Sequence, residues 1–279
     1  MSDSMPLDEM QEAVPTIFEC LKKFNIPATW FARIDDKMEI DYGTRDYILS
    51  HYSQLLADMK AEGHEIAWHF HSYKNSKGKW VQNDSELQII KELERNWQSA
   101  KIHNLNSLRM GWAYHTQKTY KCIDSFNLEY DSTALPRINY PWEVNLRNWN
   151  VNQKNPYYPS QDDYRAEGVD NFKTLEIPLS TQPISSESDT IDDMVRLINP
   201  AYKHEIFCDS IKNHMLDDII LVTHPYEVLS LNLGHSLLSF RTQEFEKNIS
   251  WLHEQNFKFD TLINFKKKYE RNYSPNHSD

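Results

Sequence analysis

The sequence predicts a mixed α/β fold in which helices alternate with parallel strands, as in a (β/α) barrel. Segments with helical spacing of apolar residues alternate with short runs rich in aromatic and β-branched residues. The connections between them are short, which is typical of parallel strands covered by helices. With 279 residues, of which 39% are hydrophobic, the chain can build one sizeable core. We therefore expect a single domain over residues 1–279, with an open doubly wound sheet as the alternative to the barrel.

Helix and strand segments pair up along the first half of the chain. Gly63 suits the left-handed residue that ends a helix, and Ser85 suits a helix N-cap, so both mark helix boundaries. In order, the pairs are EMQEAVPTIFECLKKFN with IPATWFARI, RDYILSHYSQLLADMKAEG with HEIAWHFH, SELQIIKELERNWQSAKIH with NSLRMGW, and TQKTYKCIDSFN with LEYDST. This alternation predicts parallel pairing of the strands.

The second half continues the alternation after an irregular, aromatic-rich insertion. Residues 136–172 are rich in Pro, Asn, Tyr and Trp without a clear period, which is typical of a functional loop or lid. Their aromatic rings suit sugar faces, and the alternative is that they fill a satellite core or a subunit contact. The remaining predicted elements are the strands TLEIPLS, DIILVTH and FKFDTLINF and the helices within AYKHEIFCDSIKNHML and SFRTQEFEKNISWLHEQN.

The composition argues against several classes of partner. The formal net charge is −11 and the pI is near 5.5, so the long-range field repels nucleic acids and anionic membranes. No apolar run reaches the roughly 18 residues of a membrane span, and the acidic N-terminus differs from a signal peptide. The three cysteines are widely spaced and predict reduced, packed thiols. We expect a cytoplasmic protein that binds neither nucleic acid nor membrane.

Polar and aromatic residues follow the predicted strands. In parallel α/β folds the carboxyl ends of the strands meet at one edge, where the active site lies. The candidates at this edge are His69, His71, Arg109, Trp112, Asp131, Glu176 and His224. Among them, Trp112, Asp131 and Glu176 are the expected substrate-binding residues.

His69 and His71 are the candidate metal ligands. A strand has a side-chain period of two, so both imidazoles project from one face, roughly 7 Å apart at Cα, and can reach one ion. Zinc accepts histidine nitrogen and carboxylate oxygen and keeps one position open in a catalytic site. An isolated His-x-His pattern is also compatible with two buried histidines satisfied by hydrogen bonds, and the pattern alone leaves both interpretations open.

Five segments resemble, in order and spacing, the NodB-homology polysaccharide deacetylases. They are IFECLKKFNIPATWFARI, GHEIAWHFHSY, LRMGW, FNLEYDST and DIILVTHPYE, and the resemblance extends over about residues 14–265. It implies a distorted or incomplete (β/α) barrel that removes acetyl groups from N-acetylated sugars with a divalent metal ion, here expected to be zinc. It further implies that His224 is the late catalytic histidine and that Arg109 orients a general-base aspartate.

Two positions depart from the pattern that this resemblance implies. The family's second histidine falls four residues after the first, and here that position is Tyr73, so His71 is the expected ligand and Tyr73 a substrate-binding residue. The family's first strand ends in aspartates, but no apolar strand precedes MSDSMPLDEM, where Asp3 is the expected third ligand and Asp8 the other nearby acid. We expect an upstream strand to supply the missing carboxylate. Without it, we expect weak metal binding and association into homo-oligomers at the open sheet edge.

The predicted function is hydrolysis of a carbon–nitrogen amide bond, with the N-acetyl group of a sugar or glycan precursor as the expected substrate. For Arg109, the alternative is a structural salt bridge to Asp131 or Glu176. For the protein, the alternatives are hydrolysis of another small amide and metal-free carbohydrate binding on the same fold. Histidine and carboxylate ligands suit several divalent ions, so the residue types leave the identity of the metal open.

Overall fold

The computed structural model describes residues 9–138, 155–185, 194–214, 217–229 and 237–273 of the chain. The chain divides into two units, each assembled from several segments. The first unit comprises Met1–Ile26, Leu135–Ile138 and Leu179–Phe259, and the second comprises Pro27–Ala134, Asn139–Pro178 and Asp260–Asp279. The single domain expected over residues 1–279 stays a prediction.

Helices occur in both units. The α-helices are α1 (Val14–Lys23), α2 (Asp36–Tyr42), α3 (Tyr47–His51), α4 (Ser53–Ala61), α5 (Glu86–Ile102), α6 (Gln117–Asp124), α7 (His204–Lys212), α8 (Thr242–Glu254) and α9 (Leu262–Tyr273). A π-helical turn, Glu9–Ala13, leads into α1, and 3-10 turns span Gly111–Ala113 and Pro225–Val228. Among the helices in the described ranges, none is long and apolar enough to cross a membrane.

The strands are β1 (Thr29–Arg33), β2 (Glu65–Phe70), β3 (Tyr73–Ser76), β4 (Lys79–Gln82), β5 (Ser107–Met110), β6 (Tyr130–Asp131), β7 (Leu175–Glu176), β8 (Thr181–Pro183) and β9 (Val195–Leu197). In the second unit, β1, β2, β5, β6 and β7 form one sheet in that order, and every neighbouring pair is parallel. Strands β3 and β4 form a separate antiparallel hairpin. The predicted parallel α/β architecture is therefore confirmed, in the form of an incomplete barrel.

The helix boundaries follow local signals in the sequence. Gly63, just beyond the end of α4, has a φ of +86°, a left-handed conformation that costs glycine little. The Ser85 side chain accepts a hydrogen bond from the backbone N–H of Gln88 and caps α5. These boundaries determine where β2 and β5 begin and end, and hence which side chains reach the carboxyl edge of the sheet.

One face of the parallel sheet carries successive rows of side chains. In-register partners on neighbouring parallel strands point to the same face, so Arg33, His69 and Arg109 form one row near the carboxyl edge. Glu65, deeper on the same face of β2, accepts hydrogen bonds from the side chains of Thr29, Ser107 and Tyr130 at 2.7 to 3.1 Å. The amino end of this face is thus closed by a hydrogen-bonded cluster, which leaves the carboxyl edge for ligands.

The first unit contains α1, α7 and α8 and the hairpin of β8 and β9. Apolar side chains from the helices, among them Phe18, Phe207 and Leu252, are buried. The prediction of a strand at DIILVTH is wrong, because residues 217–224 form no regular secondary structure. Its backbone nevertheless takes part in hydrogen bonds, since the N–H of Val222 donates to the carbonyl of Ile198 at 3.2 Å.

The predicted strand FKFDTLINF is also wrong, because residues 257–261 are irregular and α9 starts at Leu262. Thr261 accepts a hydrogen bond from the backbone N–H of Asn264 at 3.4 Å, which is a capping contact. The backbone N–H of Leu262 and Ile263 donate to Thr29 and Glu65, so the start of α9 lies against the amino end of the sheet. The segment therefore begins a capped helix, although its apolar residues alternate as in a strand.

Candidate metal and active site

The two candidate ligands meet at the carboxyl edge of the sheet. His69 is the penultimate residue of β2 and His71 follows the strand, and their Nε2 atoms lie 2.9 Å apart. His69 Nδ1 lies 2.9 Å from the backbone carbonyl oxygen of Arg109, which can only accept, so this nitrogen carries the proton. In this tautomer of a neutral His69, the Nε2 lone pair points toward His71. A metal ligand requires the same tautomer.

Aromatic rings surround His71. Its ring stacks on Tyr73 with a centroid distance of 5.3 Å and meets Trp112 edge-on at 4.7 Å. Gly111 lies directly against the imidazole, since a Cβ at this position would stand 2.2 to 2.4 Å from its ring atoms. Trp112 itself has a φ of +52°, an uncommon conformation for a large residue. The structure thus brings Tyr73 and Trp112 to the histidine pair, and their role in substrate binding stays a prediction.

Arg109 lies beside His69 on the neighbouring strand. Its Nε donates to the Ser132 carbonyl at 2.8 Å and one terminal nitrogen to Ser132 Oγ at 3.2 Å, while the guanidinium lies over the ring of Phe31 at 4.0 Å. Burial lowers the pKa of Arg109 to about 10, against the opposing effect of nearby acidic groups. Within the described residues its hydrogen bonds go to Ser132, and neither Asp131 nor Glu176 pairs with it.

Asp131 and Glu176 are in-register partners on β6 and β7 and are fully buried. They share the sheet face of Leu108, opposite to that of Arg109. Asp131 contacts His115 Nε2 at 3.1 Å, and Glu176 accepts the backbone N–H groups of Thr133 and Ala134 at 3.0 and 2.8 Å. Burial and the adjacent Asp131 carboxyl raise the pKa of Glu176 well above its usual range. Substrate binding by these two acids stays a prediction, and the hydrogen bonds give Glu176 a positioning role.

Several aromatic residues in the described part of the insertion belong to the interior. Tyr157, Tyr164 and Phe172 are buried, and Tyr164 and Phe172 lie against Tyr120 of α6. Tyr164 also donates its hydroxyl proton to the backbone carbonyl of His115 at 3.0 Å. For these residues the packing interpretation applies, while residues 139–154 of the insertion lie outside the described ranges.

His224 belongs to the first unit, where its side chain is 52% exposed. Its Nδ1 lies 3.4 Å from Glu227 Oε1, and its backbone N–H donates to Glu227 Oε2 at 2.6 Å. Burial disfavours ionisation of Glu227, but hydrogen bonds from His224 and from Asn199 outweigh it and lower the pKa of this carboxyl. A buried carboxylate therefore lies against Nδ1 of a half-exposed imidazole.

The histidine pair fits part of a metal site. Two nitrogen ligands of one tetrahedral zinc stand roughly 3.3 Å apart, so the two Nε2 atoms need to separate by only about 0.4 Å. Within the ranges that the structure describes, no group of three or more His, Cys, Asp or Glu side chains converges to hold an ion. Asp3 and Asp8, the predicted source of the third ligand, lie outside those ranges. The described residues thus provide two imidazole nitrogens at one point, and the Arg109 carbonyl fixes the ligand tautomer of His69.

Some residues that contact the predicted site residues, or neighbour them on the sheet, were not themselves predicted. Glu227 follows His224 by three positions in THPYE, a spacing that a 3-10 turn converts into contact. Arg33 ends β1 on the same face as His69, and the side-chain period of two could have indicated it. The Ser132 contact with Arg109 depends on the loop after β6, for which the sequence contains no comparable signal.

Part of the chain matches a known protein family. Residues 2–110 match the family described as polysaccharide deacetylase, and this stretch contains β1, β2, β5, both histidines and Arg109. The resemblance inferred from the sequence motifs is therefore confirmed over these residues. His224 lies beyond the matched residues.

The fold is also that of a solved structure, a protein from Mycobacterium smegmatis provisionally assigned as a polysaccharide deacetylase. The two chains are 17% identical and superpose with a TM-score of 0.54, over 93% of this chain and 77% of the other. The superposition establishes the fold, and at this identity it establishes nothing further. The predicted distorted or incomplete barrel is therefore confirmed. No curated protein matches the chain.

Proposed function

We propose that this protein is a metal-dependent hydrolase of carbon–nitrogen amide bonds that removes the N-acetyl group from a sugar or a small glycan precursor. The observation that carries the proposal is the convergence of His69 and His71 Nε2 at 2.9 Å, with His69 Nδ1 bound to a backbone carbonyl. A matched polysaccharide deacetylase segment that contains both residues supports it.

In this proposal each group has a distinct task. His69 and His71 hold the ion, with a carboxylate from outside the described residues as third ligand. When bound, the ion polarises the amide carbonyl and acidifies the attacking water. Tyr73 and Trp112 provide apolar faces against which a sugar ring packs. His224, oriented by Glu227, donates a proton to the leaving amine as general acid.

The cellular setting is part of the same proposal. The acidic composition and the cytoplasmic location expected from the sequence favour a small precursor over a finished polymer. Zinc is the proposed ion, because imidazole and carboxylate ligands at an open site suit it.

Metal analysis of the purified protein, followed by an acetate-release assay across N-acetylated sugars, tests the proposal. When a carboxylate completes the ligand set, we expect a near-stoichiometric divalent ion and acetate release that a chelator abolishes. Sugar binding without metal and without acetate release would instead establish the metal-free carbohydrate-binding protein. If the protein released a carboxylic acid only from a different small amide, the substrate would be that amide and not an N-acetylated sugar.

A further inference from the structure

Tyr73, the first residue of β3, contacts both a proposed metal ligand and an arginine of β1. Its ring stacks on the imidazole of His71, with 5.3 Å between the ring centroids and 20° between the planes. The guanidinium carbon of Arg33, at the end of β1, lies 5.4 Å from the centroid of the same phenol ring. Both distances are typical of aromatic stacking and of cation–π interaction. A chain of contacts therefore joins Arg33 to His71 through the ring of Tyr73.

The guanidinium of Arg33 is itself held in one orientation. Its Nε and Nη2 donate to the two carboxylate oxygens of Asp35 at 2.9 and 3.1 Å, which is a bidentate ion pair. Asp35 is fully buried, and it also accepts the backbone N–H of Met38 at 3.0 Å as the N-cap of α2. The guanidinium is therefore fixed to the start of a helix and offers the ring of Tyr73 a rigid support.

The backbone between the two stacked rings is fixed by other contacts. Ser72 donates its hydroxyl proton to Glu92 Oε2 at 2.6 Å, and both residues are buried. The Ser72 carbonyl accepts the backbone N–H of Asn83 at 2.9 Å. With the backbone held in this way, the side-chain torsions of His71 and Tyr73 determine where the two rings lie.

We infer that Arg33 is a positioning residue of the proposed metal site: it orients the ring of Tyr73, which in turn orients the imidazole of His71. The inference rests on the proposed function for the role of His71 as a ligand, whereas the ring contacts exist without an ion. Gly111 confines the same imidazole, since a Cβ there would stand 2.2 to 2.4 Å from its ring atoms. Arg33 thereby influences how precisely the Nε2 atoms of His69 and His71 meet.

The hairpin of β3 and β4 contains a matched control for this contact. Trp80 on β4 also lies under a cation, since Lys37 Nζ is 5.1 Å from its ring centroid. Trp80 pairs with Asn75, two positions after Tyr73 on β3, so both aromatic rings lie on the same face of the hairpin. Lys37→Met therefore removes a cation–π contact from this hairpin and leaves the one to Tyr73 in place.

The test follows the imidazole of His71 by nuclear magnetic resonance of the full chain with isotope-labelled histidine. Spectra are recorded without metal at about pH 8.5, where imidazoles of ordinary pKa are neutral, and the His71 signals are assigned by their loss in His71→Ala. The variants are Arg33→Lys, Tyr73→Leu, the double variant that combines them, and the control Lys37→Met. Zinc affinity is measured by competition with a chelator, and thermal unfolding verifies that each variant folds.

In the wild type, the ring current of Tyr73 should shift the ring-proton signals of His71 from their ordinary positions. Arg33→Lys keeps a charge for Asp35 but loses the bidentate fork, so these signals should move toward those of Tyr73→Leu. Zinc affinity should fall by about tenfold. In the Tyr73→Leu background, Arg33→Lys should add no further change, because a residue that acts through Tyr73 is fully coupled to it in a double-mutant cycle. Lys37→Met should leave the His71 signals and the zinc affinity unchanged.

Unchanged His71 signals in Arg33→Lys would overturn the inference, and so would an equal change in Lys37→Met, which would assign the effect to the hairpin as a whole. Additive effects of Arg33→Lys and Tyr73→Leu would show that Arg33 does not act through the phenol ring.

If Arg33→Lys does not fold, nuclear Overhauser contacts in the wild type decide. Contacts of the Tyr73 ring with both Arg33 and His71 support the inference, and their absence overturns it. The expected shifts without zinc binding by any of the proteins would overturn the proposed function and leave the positioning role of Arg33 in place.

Discussion

His69 and His71 bring their Nε2 atoms to 2.9 Å although one lies within β2 and the other lies just beyond it. The strand period of two gives both side chains the same face, and the Arg109 carbonyl fixes His69 through Nδ1. Gly111 leaves the space that the His71 ring occupies. The pair is therefore held by neighbours on β5 and the turn after it.

The first prediction concerns metal affinity. His69→Ala and His71→Ala should each abolish tight binding of a divalent ion with little loss of thermal stability, because both side chains are only partly buried. Metal content after dialysis against a weak chelator measures the effect. His253→Ala, an exposed histidine on α8, is the control and should retain the ion. Full metal occupancy in His71→Ala would show that the second ligand is another residue.

The second prediction concerns Gly111. A Cβ at this position would approach the His71 ring to 2.2 to 2.4 Å, so Gly111→Ala must displace the imidazole from His69. Metal affinity should fall by about tenfold or more. Gly43→Ala is the matched control, because Gly43 has a φ of +87° with open space around it. Both variants lose stability, but only Gly111→Ala should lose metal, and unchanged titration of the ion by Gly111→Ala would contradict this account.

The sequence predicted the sheet well because its strands have strong local signals. IPATWFARI, HEIAWHFH and NSLRMGW became β1, β2 and β5, and their flanking helices begin and end near the predicted caps. Parallel order followed from the alternation with helices. The strand ends then placed His69 and Arg109 side by side, as the motif argument required.

The failures occurred where tertiary contacts decide the outcome. FKFDTLINF alternates like a strand, but Thr261 caps α9 and Glu65 accepts the backbone N–H of Ile263, a partner 198 positions away. Asp131 and Glu176 lie on the face opposite Arg109, and their role in substrate binding stays a prediction. A shift of one residue reverses the face of every side chain in a strand, and the sequence alone did not determine that register.

The third prediction concerns His224 and Glu227. His224→Ala should keep the ion and lower turnover by about 10² to 10⁴, the range for loss of a general acid. Glu227→Gln removes the carboxylate that favours the protonated imidazole, so the alkaline limb of the activity profile should move to lower pH. Rates measured from pH 5 to about pH 9 test both variants. Loss of metal in His224→Ala would show that His224 is a ligand.

The last prediction concerns Glu176 of the buried Asp131–Glu176 pair, close to the loop after β6. Glu176 accepts the backbone N–H groups of Thr133 and Ala134, next to Ser132. Glu176→Gln keeps an oxygen for these donors and an N–H for Asp131, so it should preserve the fold and the Arg109 contact. Glu176→Ala leaves the two N–H groups without their acceptor and opens a cavity, and should lower the free energy of unfolding by about 2 to 4 kcal/mol.

The pH dependence separates these effects by sign. Because the pKa of Glu176 is raised in the folded protein, the folded state keeps this proton while the unfolded state releases it above about pH 4.5. The free energy of unfolding of the wild type therefore decreases as pH rises through that window, and Glu176→Gln lacks this contribution. The stability of Glu176→Gln relative to the wild type should consequently increase between about pH 4.5 and pH 8, as measured by denaturant unfolding. A constant difference across this range would show that Glu176 ionises at its ordinary pKa in the folded protein.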